Sequence, residues 1–166
     1  MLKEIEKRVS VRDFKDQAIE KMKLDEIVRA GRFAPSGKNA QLNHFIVIQD
    51  EMLIETLNDL AKKALKREDH SFFYNAKTVI IVANSKHNRL AVQDASCALM
   101  VMMIEATSQG LGSCWINQVS ALNDEVPLKK KLLLNDDEVM IGALIVGYEK
   151  EPKKRVSLVG NHVTYL

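Results

Sequence analysis

Ala91-Val92-Gln93-Asp94-Ala95-Ser96-Cys97-Ala98-Leu99-Met100-Val101-Met102-Met103-Ile104-Glu105-Ala106-Thr107-Ser108-Gln109 governs how the rest of the chain can be arranged. Ala91, Val92, Ala95, Ala98, Leu99, Met102 and Ala106 recur three and four residues apart and form one helical face. Cys97, Val101 and Ile104 add apolar residues elsewhere on the circumference. A helix apolar nearly all round is buried on every side, and a single small domain rarely covers one helix so completely. Two arrangements satisfy this pattern. Part of the helix faces a second subunit, the favoured reading, or it is the central core helix of a monomer. Gly110-Leu111-Gly112 closes the helix with the usual glycine signal, and Ser113-Cys114-Trp115-Ile116 follows as a short strand.

Upstream, Thr78-Val79-Ile80-Ile81-Val82-Ala83 and Phe45-Ile46-Val47-Ile48 read as buried strands, short, β-branched and bounded by polar residues. Between them, residues 51–67 carry Leu53, Leu57, Leu60, Ala61, Ala64 and Leu65 on a helical face. Helical spacing also marks residues 2–9 and 23–32, separated by a polar, extended segment from Ser10 to Ile19. Downstream come a short helix over 124–134, a strong strand from Val139 to Tyr148, and a tail that is basic after Pro152. Strands alternating with helices predict an α/β or α+β domain with a central sheet. At 166 residues the chain is a single domain over 1–166, large enough to bury roughly 70% of its unfolded surface.

Composition excludes several classes. Cys97 and Cys114 are the only cysteines and form no C-x-x-C pair, which excludes a zinc ribbon, a thioredoxin motif and a cysteine-ligated iron–sulfur cluster. A net charge of +2 is too small for a dedicated nucleic-acid binder. The longest apolar run, Cys97 to Ile104, is far short of the roughly 20 residues that span a bilayer. The N-terminal residues lack an apolar signal core, so the expected setting is the cytoplasm, with both cysteines reduced and no membrane partner.

The common nucleotide and hydrolase signatures fail. Five residues separate Gly31 from Gly37, and Asn39 stands where a phosphate loop needs Ser or Thr. Gly110-x-Gly112 lacks the third glycine of the dinucleotide fingerprint. The four histidines show no metal-ligand spacing, and no serine sits in a G-x-S-x-G elbow. Arg8, Ser10 and Arg12 remain, spaced at i, i+2 and i+4, which in an extended segment places all three on one side. Two guanidinium groups and a hydroxyl suit a dianionic phosphate, although a solvated face has the same spacing. Lys153, Lys154 and Arg155 form a second basic cluster.

Read with Arg8-x-Ser10-x-Arg12-x-Phe14, the stretch Ala34-Pro35-Ser36-Gly37-Lys38-Asn39-Ala40-Gln41 resembles the nitroreductase family of FMN-dependent oxidoreductases. Gly110-Leu111-Gly112-Ser113-Cys114-Trp115-Ile116 and the ending Gly147-Tyr148, Pro152, Lys153-x-Arg155 are similar to later segments of that family, in order. The resemblance implies an α+β fold with a central mixed, mostly antiparallel sheet flanked by helices, in an intertwined homodimer with FMN at the interface. It implies that Arg8, Ser10 and Arg12 bind the FMN phosphate and nearby groups, with Lys153 and Arg155 adding to the phosphate end. Pro35, Ser36, Gly37 and Asn39 would reach the flavin from the other subunit. Ile116, Asn117 and Gln118 would lie beside its reactive edge. NADH or NADPH would be the co-substrate. No catalytic side chain and no metal is implied, because the flavin carries the redox step.

The chain departs from the family pattern in three places. Leu42-Asn43 stands where Pro-Trp is usual, leaving Gln41 and Asn43 to line the substrate pocket. Asn117-Gln118 replaces a usual glycine and narrows the pocket. The chain is short, so the 68–76 loop, with Phe72, Phe73 and Tyr74, is either a minimal lid over the substrate or plain packing. The expected activity passes hydride from NAD(P)H to a nitroaromatic or quinone-like small molecule by a ping-pong mechanism. The alternative is a non-catalytic FMN sensor or carrier on the same fold. A charge at Met102 is expected to disrupt assembly and flavin binding together.

Overall fold

In the computed structural model, residues 2–154 and 163–165 are described. Four strands, β1 (His44–Ile48), β2 (Val79–Ser85), β3 (Gly112–Ile116) and β4 (Glu138–Gly147), form one sheet in the order β1-β2-β4-β3. Every neighbouring pair is antiparallel, with a register shift at Val82/Ala83. The parallel component of the expected mixed sheet is one isolated bridge, Ser10 to Ser113.

The central strands β2 and β4 are covered on both faces, which is why they read as unbroken apolar runs. Val79 and Ile81 of β2 join Ala143 and Ile145 of β4 in one core, beneath α3 (Glu51–Leu65). Ile80, Val82, Leu144 and Val146 face the other way, into a core shared with α2 (Lys21–Arg32) and α4 (Ala91–Ser108). The α2–α4 crossing is close at Gly31, where a Cβ would stand 2.8 Å from Met102 Cγ.

The helix ends follow their sequence signals. Asp50 caps α3, its side chain accepting the Leu53 N–H at 3.0 Å. After α4 the chain turns through Gly110 at φ 73°, while the Leu111 N–H reaches Ala106 O and the Gly110 N–H reaches Thr107 O. That pair of bonds is the Schellman arrangement expected when glycine follows a helix. α1 (Leu2–Lys7) is short, and α3 stops at Leu65. The helix expected over 124–134 contracts to α5 (Val126–Lys131), and a 3-10 turn, Gln118–Leu122, precedes it.

The 10–19 segment is more than a polar connector. Val11 and Phe14 are buried, and the Val11 N–H donates to Ser113 O at 2.9 Å. Gly112 and Gly147 make room for them: a Cβ on Gly112 would lie 2.8 Å from Val11 Cγ2, and one on Gly147 would lie 3.0 Å from Phe14 Cδ1.

Within one chain α4 is covered on one side only. Ala95, Ala98, Leu99, Met102 and Ala106 are fully buried, whereas Val92 is 60% and Met100 37% exposed. Met102 points into the chain's own core, so a charge there attacks folding and cannot report on assembly. Met100 is the outward-facing position. Among the described residues no helix is long and apolar enough to cross a membrane.

Candidate functional site

Two clefts hold candidate residues. The first, about 300 Å³, is lined by Ile5, Arg8, Ser10, Met100, Met103 and Trp115. The chain leaves α1 and runs extended beside β3, so alternate residues face opposite ways. Arg8 and Ser10 turn toward α4, both half-buried, while Lys7, Val9 and Val11 line a cleft on the other side. Among the described residues neither the Arg8 guanidinium nor the Ser10 hydroxyl has an intramolecular hydrogen-bond partner. A planar fork of donors and a hydroxyl are thus available to an anion. Arg12 is exposed, and its guanidinium lies 5.8 Å from the centroid of the Tyr74 ring. It therefore does not share the Arg8–Ser10 cleft, contrary to the even spacing of the three residues.

The second cleft, about 230 Å³, is lined by Ser36, Gln41 and Asn43 together with Gly31 and Phe45. Its rim is the turn Gly37–Asn39, with Pro35 exposed just before it. Lys38, Asn39 and Gln41 adopt φ of 54°, 56° and 52°, a left-handed conformation that is costly for residues with a Cβ. Internal bonds brace this geometry. The Gln41 N–H donates to Ser36 Oγ and Gln41 Nε2 donates to Asn39 Oδ1, each at 2.9 Å. Among the described residues the Ser36 proton and the Asn39 amide protons have no acceptor. An external bond fastens the loop: the Gly37 N–H donates to Asp94 Oδ1 at 2.8 Å.

Asn43 belongs to the network behind this loop. Its Nδ2 donates to the Asp94 carbonyl at 3.0 Å, and its Oδ1 accepts from Asn84 Nδ2 at 2.8 Å. Asn88 Nδ2 donates to Asn84 Oδ1 at 3.1 Å and to Asp94 Oδ2 at 3.0 Å. The amide of Asn43 is thus engaged on both sides by the protein, while the residue also lines the second cleft.

The remaining expected site residues are distributed as follows. Ile116 is buried at the end of β3, so only its backbone can face a ligand, while Asn117 and Gln118 are exposed immediately after it. The Asn117 carbonyl accepts from Ser120 Oγ at 2.9 Å, which fixes this corner. Lys153 lines the cleft that holds Lys7, Val9 and Val11, on the opposite side of the N-terminal segment from Arg8. Arg155 lies outside the described residues. Phe72 and Phe73, at 4% and 2% exposure, are core side chains beneath α3 and not a lid. The Phe72 N–H is anchored by Asn58 Oδ1 at 2.9 Å. Among the described residues no three His, Cys, Asp or Glu side chains gather where a metal ion could sit.

Residues 5–148 match the model of the nitroreductase family. The chain belongs to that family. Solved structures of similar shape include a nitroreductase with bound FMN from Bacteroides fragilis, 28% identical, with 99% of this chain and 97% of that one covered and a TM-score of 0.92. An FMN-dependent nitroreductase from Clostridium difficile is 29% identical over 99% of this chain and 98% of its own, with a TM-score of 0.83. A curated relative from Archaeoglobus fulgidus, bearing the name "Putative NADH dehydrogenase/NAD(P)H nitroreductase", is 28% identical over 92% of this chain and 87% of its own.

Within this nitroreductase-family fold, sequence reasoning missed Asp94, Asn84 and Asn88. Asp94 carried a readable signal. It shares a helical face with Ala91, Ala95 and Ala98, where a carboxyl group needs buried donors.

Proposed function

We propose that this chain is an FMN-dependent NAD(P)H oxidoreductase that works as a homodimer. The carrying observation is the half-buried Arg8–Ser10 pair, whose donors are unused by the protein and open into the cleft beside α4. A phosphate monoester matches that donor set. Bound FMN would supply the redox chemistry of a two-step hydride transfer from NADH or NADPH to a nitroaromatic or quinone-like acceptor.

The chain's own residues bind and orient. Arg8 and Ser10 hold the phosphate, while Lys153, in the cleft on the far side of the N-terminal segment, adds only longer-range positive potential. Ser36 and Asn39 offer their remaining O–H and N–H donors to the ring system, with Pro35 and Gly37 shaping the loop. Asn117 and Gln118 flank the redox edge through the backbone that follows Ile116. Arg12, stacked on Tyr74, closes the outer side, and Gln41 stands at the acceptor's entrance. Guanidinium groups nearby favour negative charge developing on a bound ring.

Size and placement support the dimer. Ligand pockets span roughly 300–1,000 Å³, so clefts of about 300 and 230 Å³ lie at or below the lower bound. Asp94 holds one cleft's loop, while Met100 and Met103 line the other. At the helical rise these positions are about 9–14 Å apart along α4. A second copy packed on the apolar outer side of α4, at Val92 and Met100, would bring the loop of one chain to the Arg8 cleft of the other.

The test is direct. Purified protein should show a flavin absorption spectrum and oxidise NADH or NADPH with a nitroaromatic or quinone acceptor. Binding of FMN without turnover across the acceptor panel would favour the carrier reading. Failure to bind FMN at all would refute both.

A further inference from the structure

We infer that Asp94 is a positioning residue for the flavin site: its buried carboxyl group holds the 36–39 loop in the conformation that presents Ser36 and Asn39 to FMN. The inference rests on the reading of that loop as an FMN-binding element. The loop's own sequence does not favour its shape. Lys38 and Gln41 sit in the left-handed region at a cost, flanking Asn39, a residue type that tolerates it better. The bonds through Ser36 Oγ and Asn39 Oδ1 lie within the loop and travel with it. Asp94 supplies the attachment to the rest of the fold at both ends of the turn. Its Oδ1 accepts the Gly37 N–H, and its backbone carbonyl accepts Asn43 Nδ2.

Asp94 is itself immobilised. It is 4% exposed, and Asn88 Nδ2 holds its second oxygen at 3.0 Å. Asn88 is fixed in turn, its Oδ1 accepting the Leu90 N–H and its Nδ2 also bonded to Asn84 Oδ1. Leu90 then packs on Gly37, where a Cβ would stand 2.3 Å from Leu90 Cδ1. A rigid chain of contacts thus runs from β2 through Asn84, Asn88 and Asp94 to the loop. No atom of Asp94 needs to touch the flavin for it to set where Ser36 and Asn39 point.

The experiment compares wild type with Asp94→Ala, Asp94→Asn, Asn88→Ala, Arg8→Ala and Leu57→Ala. Each is read by FMN titration of flavin-free protein, visible circular dichroism of the bound FMN, limited trypsin cleavage after Lys38, and thermal melting. Asp94→Ala should weaken FMN binding about tenfold or more, alter the visible dichroism and expose the Lys38–Asn39 bond to trypsin. Asp94→Asn keeps an acceptor for the Gly37 N–H but turns an NH2 group toward Asn88 Nδ2, so it should recover only part of the affinity. Asn88→Ala leaves Asp94 in place but frees its rotamer. It should weaken FMN by about threefold and keeps the test valid if Asp94→Ala fails to fold. Leu57→Ala lowers stability from the remote face of the sheet and should leave FMN affinity and dichroism unchanged below its melting temperature. Wild-type affinity and dichroism in both Asp94→Ala and Asn88→Ala would overturn the inference. So would a loss reproduced by Leu57→Ala at the same drop in Tm. If Arg8→Ala weakens FMN while the Asp94 series does not, this inference falls and the FMN reading stands. A wild-type chain that binds no FMN overturns both.

Discussion

A phenyl ring that is 2% exposed, as Phe73 is, has almost no surface to offer a substrate. Phe73→Ala should therefore act as a core truncation, lowering unfolding free energy by about 3–5 kcal/mol in urea titrations while the bound-flavin spectrum keeps its shape. Arg8 presents the opposite case, a half-buried guanidinium with no partner among the described residues. Arg8→Ala should cost about 2–3 kcal/mol of FMN binding with little change in Tm, measured by fluorescence titration of flavin-free protein. Arg8→Lys should recover only part of that loss, because an ammonium cannot reproduce the paired donors. Both residues stood out in the sequence, Phe73 by clustering with Phe72 and Tyr74, and Arg8 by its spacing to Ser10. Only the position of each side chain relative to the sheet separates packing from binding, and local spacing does not carry that information.

The elements divide along the same line. The runs 78–83 and 139–148 were legible as strands because both faces of the central pair are covered, so apolar residues recur without alternation. Helix α4 was legible because its apolar spacing is dense and a glycine closes it. The segment from Ser10 to Ile19 was not, because buried Val11 and Phe14 are three apart, matching neither the period of a strand nor a full helical face. The 36–41 loop could be located from its residues, but its three left-handed positions depend on Asp94, which lies far along the chain. Gly112 tests how far the N-terminal segment depends on β3. A Cβ there would meet Val11 at 2.8 Å, so Gly112→Ala should destabilise the fold by about 1–3 kcal/mol and shift Arg8 and Ser10 with it. The expected result is a lower urea midpoint together with weaker FMN binding. A lower midpoint with unchanged FMN affinity would separate the seat of Val11 from the phosphate site.

At the scale of the whole molecule, α4 has an inner side that belongs to the chain's core and an outer side that does not. Met102→Asp should prevent folding, since Met102 is fully buried against Gly31. Met100→Asp should leave a folded chain that sediments as a monomer and binds FMN poorly, because Met100 is 37% exposed and lines the Arg8 cleft. A Met100→Asp protein that stays dimeric would move the interface elsewhere. The separation of the Arg8–Ser10 cleft from the Ser36–Asn39 loop also has a genetic reading. If each site takes Arg8 from one chain and Asn39 from its partner, Arg8→Ala and Asn39→Ala fall into different complementation groups. Each variant alone spoils both sites of its dimer. Co-expressed chains that pair at random place both lesions in one site of every mixed dimer and leave the other site intact. About a quarter of all sites should then bind FMN with wild-type affinity, although neither variant alone forms such a site.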